Sequence, residues 1–221
     1  MAIVSAPENL DTIITEGERF LEFARRDPGR IVPQYPTWSL TDLVTHLASI
    51  HARTIAICAT LPRERISAPQ LPEGSDPFDW CEHTLSAMVE ALDEADPDAG
   101  VWALIPPHTV STWERRMVIE TGIHRWDAQQ AFEEPAPLLP IVASSGLDEF
   151  THMWLPRLGD LPTLEVIAAD LDRSWRFGGG DPITSVAGTA SNLFLRLMAR
   201  PGAELPPEWE TAVDGLATPA G

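Results

Sequence analysis

The sequence is poor in basic residues. Fifteen Lys and Arg stand against 33 Asp and Glu, which gives a net charge of −18. Nucleic acids and anionic membrane surfaces are bound through basic patches. The composition therefore excludes both as expected partners. A small-molecule substrate remains possible, even an anionic one, because a local arginine cluster can attract an anion despite the negative electrostatic potential of the whole protein.

Long hydrophobic runs are also absent. No stretch reaches the roughly 18 consecutive apolar residues typical of a membrane span. The first residues, MAIVSAPENLDTII, lack the basic start and apolar block of a secretory signal, so we expect a cytoplasmic protein. The two cysteines, Cys58 and Cys81, match no metal-binding spacing. We expect both to be reduced thiols packed on helices, although a catalytic role remains an alternative.

What the sequence does contain is helical periodicity. Hydrophobic residues make up 44% of the 221 residues, enough for a substantial core. Ser39 and Asp42 form a start signal for one helix, and Pro62 stops it. Amphipathic segments joined by Pro-marked connections predict an up-down four-helix bundle. The predicted helices cover about 7–26, 40–61, 78–95 and 112–132.

The character of the sequence changes towards the C-terminus. A further helix at about 144–155 is expected to end the first unit. Short β-branched and aromatic stretches follow, then a helix near 189–202, which together predict a small α+β domain. The segment FGGGDP reads as a hairpin turn, and the tail after 205 as partly loose. The fold class is thus mainly α, with a helix bundle over 1–158 and an α+β domain over 159–221.

One helix carries two polar residues where the core should be. In MVIETGIHRWDAQQA, Glu120 and His124 are four residues apart and so share one helical face. Burying a carboxylate and an imidazole is costly unless something compensates them. A divalent metal would do so, with His46 as the leading third ligand; a locally hydrogen-bonded pair is the alternative. The same stripe contains Trp113, Met117, Glu120, His124, Ala128 and Ala131.

Two segments together resemble a known family. PTWSLTDLVTHLASIHAR, followed by WERRMVIETGIHRWDAQQA, is similar to the mycothiol-dependent maleylpyruvate isomerase family of DinB-like metalloenzymes. The matching positions are Trp38 and His46 in the first segment and the run from Glu120 through HRWD to Asp127 in the second. GTASNLFLRLMAR resembles the small C-terminal domain that many members carry.

The resemblance implies a bundle that holds a divalent ion, usually zinc, through His46, Glu120 and His124. It also implies mycothiol as co-substrate and a carboxylate-binding role for Arg200, for which guanidinium is well suited. As bare sequence, however, Arg200 is also a common choice for the last turn of a helix. The implied activity is thiol-dependent isomerisation or S-transfer on a small electrophile.

Other residues near these positions have more than one interpretation. Asp127 could support His124 from behind, but we favour a structural role in the bundle. Arg115 and Arg116 could reach an anionic substrate or lie on a solvated face. Trp38 and Trp126 are expected in the core. His51 is expected to point about 140° away from His46 on the same helix.

Three functions remain as hypotheses. The leading one is a cytoplasmic metalloenzyme, a monomer or homodimer, in which zinc or a neighbouring divalent ion activates mycothiol against a small electrophile. In the second hypothesis the protein binds the metal but uses no thiol, and it is a hydrolase, lyase or cyclase. The third is a non-catalytic binding module, which would be expected to lack one of the three ligands.

Overall fold

A computed structural model describes residues 6–217 of the chain. These residues form two compact units, of which the first ends at Ala136 and the second begins at Pro137. Both contain helices, and the β-structure is limited to small sheets, so the predicted mainly α fold class is confirmed. None of the helices in the described range is long and apolar enough to cross a membrane.

The first unit is a four-helix bundle. Helices α1 and α2 each pack against the other two long helices. Their apolar faces meet in a core that includes the fully buried Phe20, Leu43, Leu47 and Met88. All four helices lie within a few residues of the predicted segments. Their bounds are α1 (Ala6–Arg26), α2 (Leu40–Thr60), α3 (Pro77–Glu94) and α4 (Val110–Gln130).

Local side-chain chemistry fixes where α2 begins. The Ser39 hydroxyl accepts a hydrogen bond from the backbone N–H of Asp42, and the Asp42 carboxylate accepts one from the Ser39 N–H at 2.8 Å. This reciprocal capping box satisfies two backbone donors that the helix itself leaves unpaired. The predicted start of α2 is confirmed. The position of this cap also fixes which way His46, two turns later, can point.

A short antiparallel hairpin precedes α2, and the sequence did not predict it. Strands β1 (Ile31–Val32) and β2 (Tyr35–Ser39) pair with a register shift between Ile31 and Val32. The second strand runs directly into α2, because Ser39 ends one element and caps the next. The hairpin therefore places Tyr35 and Trp38 beside the start of α2.

Helices α2 and α4 run antiparallel. The His46 ring lies 5.4 Å from the His124 ring, whereas eight residues farther along α2 the Thr54 hydroxyl lies 3.3 Å from the Met117 sulfur, seven residues back along α4. Moving forward on one helix thus means moving backward on the other. Residues about two turns after His46 therefore lie near residues about two turns before His124.

The second unit contains a three-stranded sheet with helices. The strands are β3 (Leu164–Ala168), β4 (Arg173–Phe177) and β5 (Thr184–Gly188), in the spatial order β4–β3–β5. β3 pairs antiparallel with β4 and parallel with β5. The helices of this unit are α5 (Pro140–Met153), α6 (Ala190–Leu197) and α7 (Pro207–Asp214).

Two features of this unit differ from the sequence interpretation. Helix α5 belongs to the second unit, because it packs against α6 and β4 with Phe150 and Phe177 rings 4.9 Å apart. The boundary between the compact units is thus at 136/137, not at 158/159 where we placed it. Part of the tail is ordered, since α7 buries Trp209 and Val213. Of the tail, 218–221 lie outside the described residues.

The glycine-rich segment is not a hairpin turn. It joins β4 to β5, which are not neighbours, so the chain crosses the end of β3 instead of folding back on itself. Gly178 has a positive φ of 76°, and a Cβ there would lie 2.6 Å from the carbonyl oxygen of Pro162. Only glycine fits this close approach of two backbone segments without strain.

Candidate metal centre

Three predicted ligands converge inside the first unit. Ligand atoms of His46, Glu120 and His124 all lie within 4.8 Å of one another. The last two come from one face of α4 and the first from the facing side of α2. The α4 stripe is buried as predicted, including Trp113 and Ala128. The spacing of four residues on one helix and the antiparallel packing of the other bring the three groups together.

The geometry fits a divalent cation. Bonds from zinc to imidazole nitrogen and carboxylate oxygen measure about 2.0–2.2 Å, so two ligands of one ion lie no more than about 4.4 Å apart. Side-chain rotations that bring these ligand atoms closer together would allow His46, Glu120 and His124 to bind one ion. Two imidazoles and one carboxylate are a donor set that zinc accepts, and three protein ligands leave a coordination position open.

The carboxylate of Glu120 is held in its ionised form. Its side chain is 13% exposed, and Arg116, one turn earlier on α4, donates a hydrogen bond to Oε1. Burial would raise the pKa of Glu120, but Arg116 and the two histidines hold it well below its usual range. Arg116 is thus buried and bonded to a residue of its own helix, and it does not lie on a solvated face. Arg115 is half-buried.

Asp127 orients His124. The Nδ1 atom of His124 lies 3.0 Å from a carboxylate oxygen of Asp127, and its Nε2 lies 3.3 Å from Glu120. Burial would lower the pKa of His124, yet these two carboxylates raise it. The contact differs from the purely structural role we favoured for Asp127. A carboxylate behind Nδ1 directs the other ring nitrogen into the cluster.

The hairpin aromatics lie against the two histidines. Trp38 has its ring centre 5.0 Å from that of His46, and Tyr35 lies 6.4 Å from His124. Burial and the neighbouring His124 lower the pKa of His46 to about 4, so this imidazole is neutral at physiological pH and can act as a ligand. Trp38 is therefore beside the site and not simply in the core. Trp126 is buried as expected.

His51 was not expected near the centre. It is fully buried, and neither ring nitrogen has a hydrogen-bond partner among the described residues. Burial lowers its pKa to about 3, while Glu120 and His124 lie close enough to act on it electrostatically. The sequence contained a signal for this burial. His51 lies four residues after Leu47 and three before Thr54, both buried, so the buried face of α2 is wider than one narrow stripe and includes His51.

Arg125 within HRWD has a structural place. Its Nε donates to a carboxylate oxygen of Glu16 on α1 at 2.8 Å, and Nη1 donates to Gln129 and to the carbonyl of Ala136. The side chains of Arg125 and Glu16 are 1% and 0% exposed. This buried ion pair ties α1 to α4 and so fixes the helix that carries Glu120 and His124.

Arg200 belongs to the second unit. It follows the end of α6 by three residues, is buried, and donates a hydrogen bond from Nη1 to the carbonyl of Met198 at 2.8 Å. Its carboxylate-binding role stays a prediction. The cysteines behave as packing residues, since burial raises the pKa of Cys58 to about 11 and that of Cys81 to about 12.

Comparison with known proteins identifies the family of the chain. A family model described as the mycothiol maleylpyruvate isomerase N-terminal domain matches residues 10–129, more than half of the chain. The chain belongs to this family. The resemblance inferred from Trp38, His46 and the Glu120–Asp127 run is thereby confirmed, as is membership of an enzyme family.

Solved structures support the fold of this family member. Two crystal structures of mycothiol-dependent maleylpyruvate isomerase, one of them of a histidine-to-alanine mutant, are each 15% identical to this chain with a TM-score of 0.69. Each alignment covers 92% of this chain and 95% of the other. No curated protein matches the chain.

Proposed function

We propose that the protein is a metal-dependent enzyme that uses mycothiol to isomerise or S-conjugate a small electrophile. The observation that carries the proposal is the convergence of His46, Glu120 and His124 in one partly open cluster of the bundle. Family membership supports the choice of thiol, because the structures it resembles are of a mycothiol-dependent maleylpyruvate isomerase. Zinc is the ion that the ligand set favours.

A divalent cation at this position would act as a Lewis acid that lowers the pKa of a thiol, so that the thiol reacts as a thiolate at neutral pH. The protein's own groups prepare the site. His46 is neutral, Arg116 keeps Glu120 ionised, and Asp127 holds the His124 ring by its Nδ1. Tyr35 and Trp38 lie against the two histidine rings.

In an isomerisation the thiolate sulfur would form a bond to one carbon of a conjugated cis double bond. Rotation about the resulting single bond, followed by loss of the thiolate, would give the trans isomer and regenerate the thiol. In an S-transfer the addition product would instead take up a proton and leave. The two outcomes share the attacking step and differ only in whether the new carbon–sulfur bond breaks.

Metal content is the first test. Purified protein should contain close to one equivalent of a divalent metal, whereas His46→Ala and His124→Ala should contain far less. His83→Ala is the matched control, because His83 is exposed on α3 and belongs to no cluster of potential metal ligands in the part of the chain that the structure describes. Equal metal in all four proteins would overturn the assignment of the site.

Turnover is the second test. Metal-loaded protein should isomerise maleylpyruvate only when mycothiol is present, and calorimetry should show that mycothiol binds the metal-loaded form. A loaded protein that neither binds mycothiol nor needs it would rule out the thiol-dependent reaction and favour the thiol-independent hydrolase, lyase or cyclase.

A further inference from the structure

Arg53 lies on the same face of α2 as His46, two helical turns farther along. A separation of seven residues brings a side chain back to nearly the same direction, about 10 Å along the axis. Its guanidinium carbon sits 5.1 Å from the ring centre of Trp113, which is seven residues before Glu120 on the antiparallel α4. Arg53 thus faces the stretch of α4 that leads directly to the metal-binding cluster.

The contact with Trp113 orients the guanidinium of Arg53. Its Nε is buried and has no partner among the described residues, although the residue as a whole is only half-buried. Leaving a buried donor unpaired is costly, more so for a charged group. The contact with Trp113 offsets part of that cost. The half-buried side chain thus has its inner nitrogen covered and its charged end oriented by the ring of Trp113.

Positive charge is concentrated at this point of an otherwise acidic protein. Burial lowers the pKa of Arg53, Glu120 raises it, and the neighbouring guanidiniums of Arg116 and Arg65 lower it again. Arg53 and Arg116 also act on His46. The chain has a net charge of −18 and is rich in carboxylates. Among the described residues, however, Glu120 is the one acidic side chain that raises the pKa of Arg53.

We propose that Arg53 is the residue that binds a carboxylate of the electrophilic substrate and so determines specificity for the charged substrate over its uncharged analogue. The inference rests on the proposed function and deepens it by naming a specificity-determining residue of the site. The two terminal Nη groups of a guanidinium can donate to both oxygens of a carboxylate, so this contact does not require the buried Nε of Arg53. Bound there, the substrate would lie along the α2–α4 face with its reactive carbons towards His46 and Glu120.

The kinetic test compares a charged substrate with an uncharged one in the metal-loaded full-length protein. With mycothiol present, Arg53→Gln should lower kcat/KM for maleylpyruvate by about 10- to 100-fold, the range expected for losing a charged hydrogen-bonded contact. It should leave kcat/KM for the corresponding dimethyl ester, which carries no carboxylate, nearly unchanged. Arg53→Lys keeps the charge but loses the paired N–H groups. Its kcat/KM for maleylpyruvate should therefore lie between the values for the unmodified protein and for Arg53→Gln.

Arg25→Gln is the matched control. It removes the same charge from an exposed ion pair with Glu82 and should change neither substrate's kinetics. Thermal unfolding and metal content of each variant establish that it is folded and loaded. Equal losses on acid and ester, or equal losses in Arg25→Gln, would overturn the role of Arg53.

A binding measurement separates this inference from the proposed reaction. Calorimetric titration of metal-loaded protein with succinate, in the absence of thiol, should show affinity at least about tenfold weaker in Arg53→Gln than in the unmodified protein. This result would support the carboxylate site even if no thiol-dependent turnover were found. Equal affinity of the two proteins for succinate would refute it, whatever the turnover.

Discussion

The Nδ1 atom of His124 lies 3.0 Å from Oδ2 of Asp127, one helical turn farther along α4. The same imidazole presents Nε2 to Glu120 on the preceding turn. One turn of helix on either side thus supplies both a ligand partner and the group that orients the ring. Such outer partners commonly change metal affinity by about 10- to 100-fold when removed.

Replacing Asp127 with Asn should therefore weaken metal binding within that range while leaving all three ligands in place. The amide cannot supply the negative charge that raises the basicity of His124. Competition with a chromophoric chelator measures the affinity. Asp148→Asn, which alters an acidic side chain in the second unit, is the control. Unchanged affinity in Asp127→Asn would mean that its carboxylate serves only the packing of the bundle.

Metal affinity should decrease as the solution becomes more acidic. Burial lowers the pKa of His124, but Asp127 and Glu120 outweigh it and raise the pKa, so in metal-free protein a proton competes with the metal for this ring. His46, with a pKa of about 4, carries no such proton. Binding should release protons, detected by calorimetry in buffers of different ionisation enthalpy between about pH 6 and 8. An affinity independent of pH across this interval would contradict the assignment of His124 as a ligand.

The buried pair of Glu16 and Arg125 should matter for stability. Removing one partner leaves an uncompensated charge in the core, which typically costs about 3–5 kcal/mol. Arg125→Met should therefore lower the free energy of unfolding in urea strongly, and adding Glu16→Gln should recover part of the loss. Arg26→Met breaks an exposed pair with Glu134 and should have little effect. Similar losses in Arg125→Met and Arg26→Met would contradict this account.

Much of the site could be predicted because its parts are local. Glu120 and His124 are one helical turn apart, and the start signal at Ser39 fixes the phase of the helix that carries His46. Whether His46 meets this pair depends on the packing of α2 against α4. Spacing alone therefore did not distinguish a metal site from a hydrogen-bonded pair of Glu120 and His124. The family resemblance supplied that choice.

The remaining features depend on contacts that periodicity does not encode. The order β4–β3–β5 follows from a parallel pairing between segments separated by another strand, so FGGGDP was misread as a hairpin turn. Helix α5 has the same amphipathic pattern whichever unit it joins, and only its packing on Phe177 and Phe194 assigns it. Arg53 gave no sequence signal, because its importance comes from the ring it lies against.

His51 should make the protein sensitive to acid. Its pKa is about 3 in the folded protein, against an ordinary value of 6.5, because burial disfavours the charged ring more than Glu120 favours it. Between about pH 6.5 and pH 3, His51 therefore binds a proton in the unfolded chain but not in the folded protein. Stability is unaffected above about pH 6.5 and falls as the pH drops towards 3, by roughly 1.4 kcal/mol for each pH unit.

Replacing His51 with Phe removes this titration and also the two unpaired nitrogens in the core. In metal-free protein, urea unfolding measured between about pH 7 and pH 4 should show a shallower loss of stability for His51→Phe than for the unmodified chain. His83→Phe, at an exposed position on α3, should keep the original slope. Because the comparison uses the slope and not the absolute stability, a packing change caused by the larger ring does not affect it. Identical slopes for His51→Phe and the unmodified protein would show that the imidazole is protonated or hydrogen-bonded in the folded state.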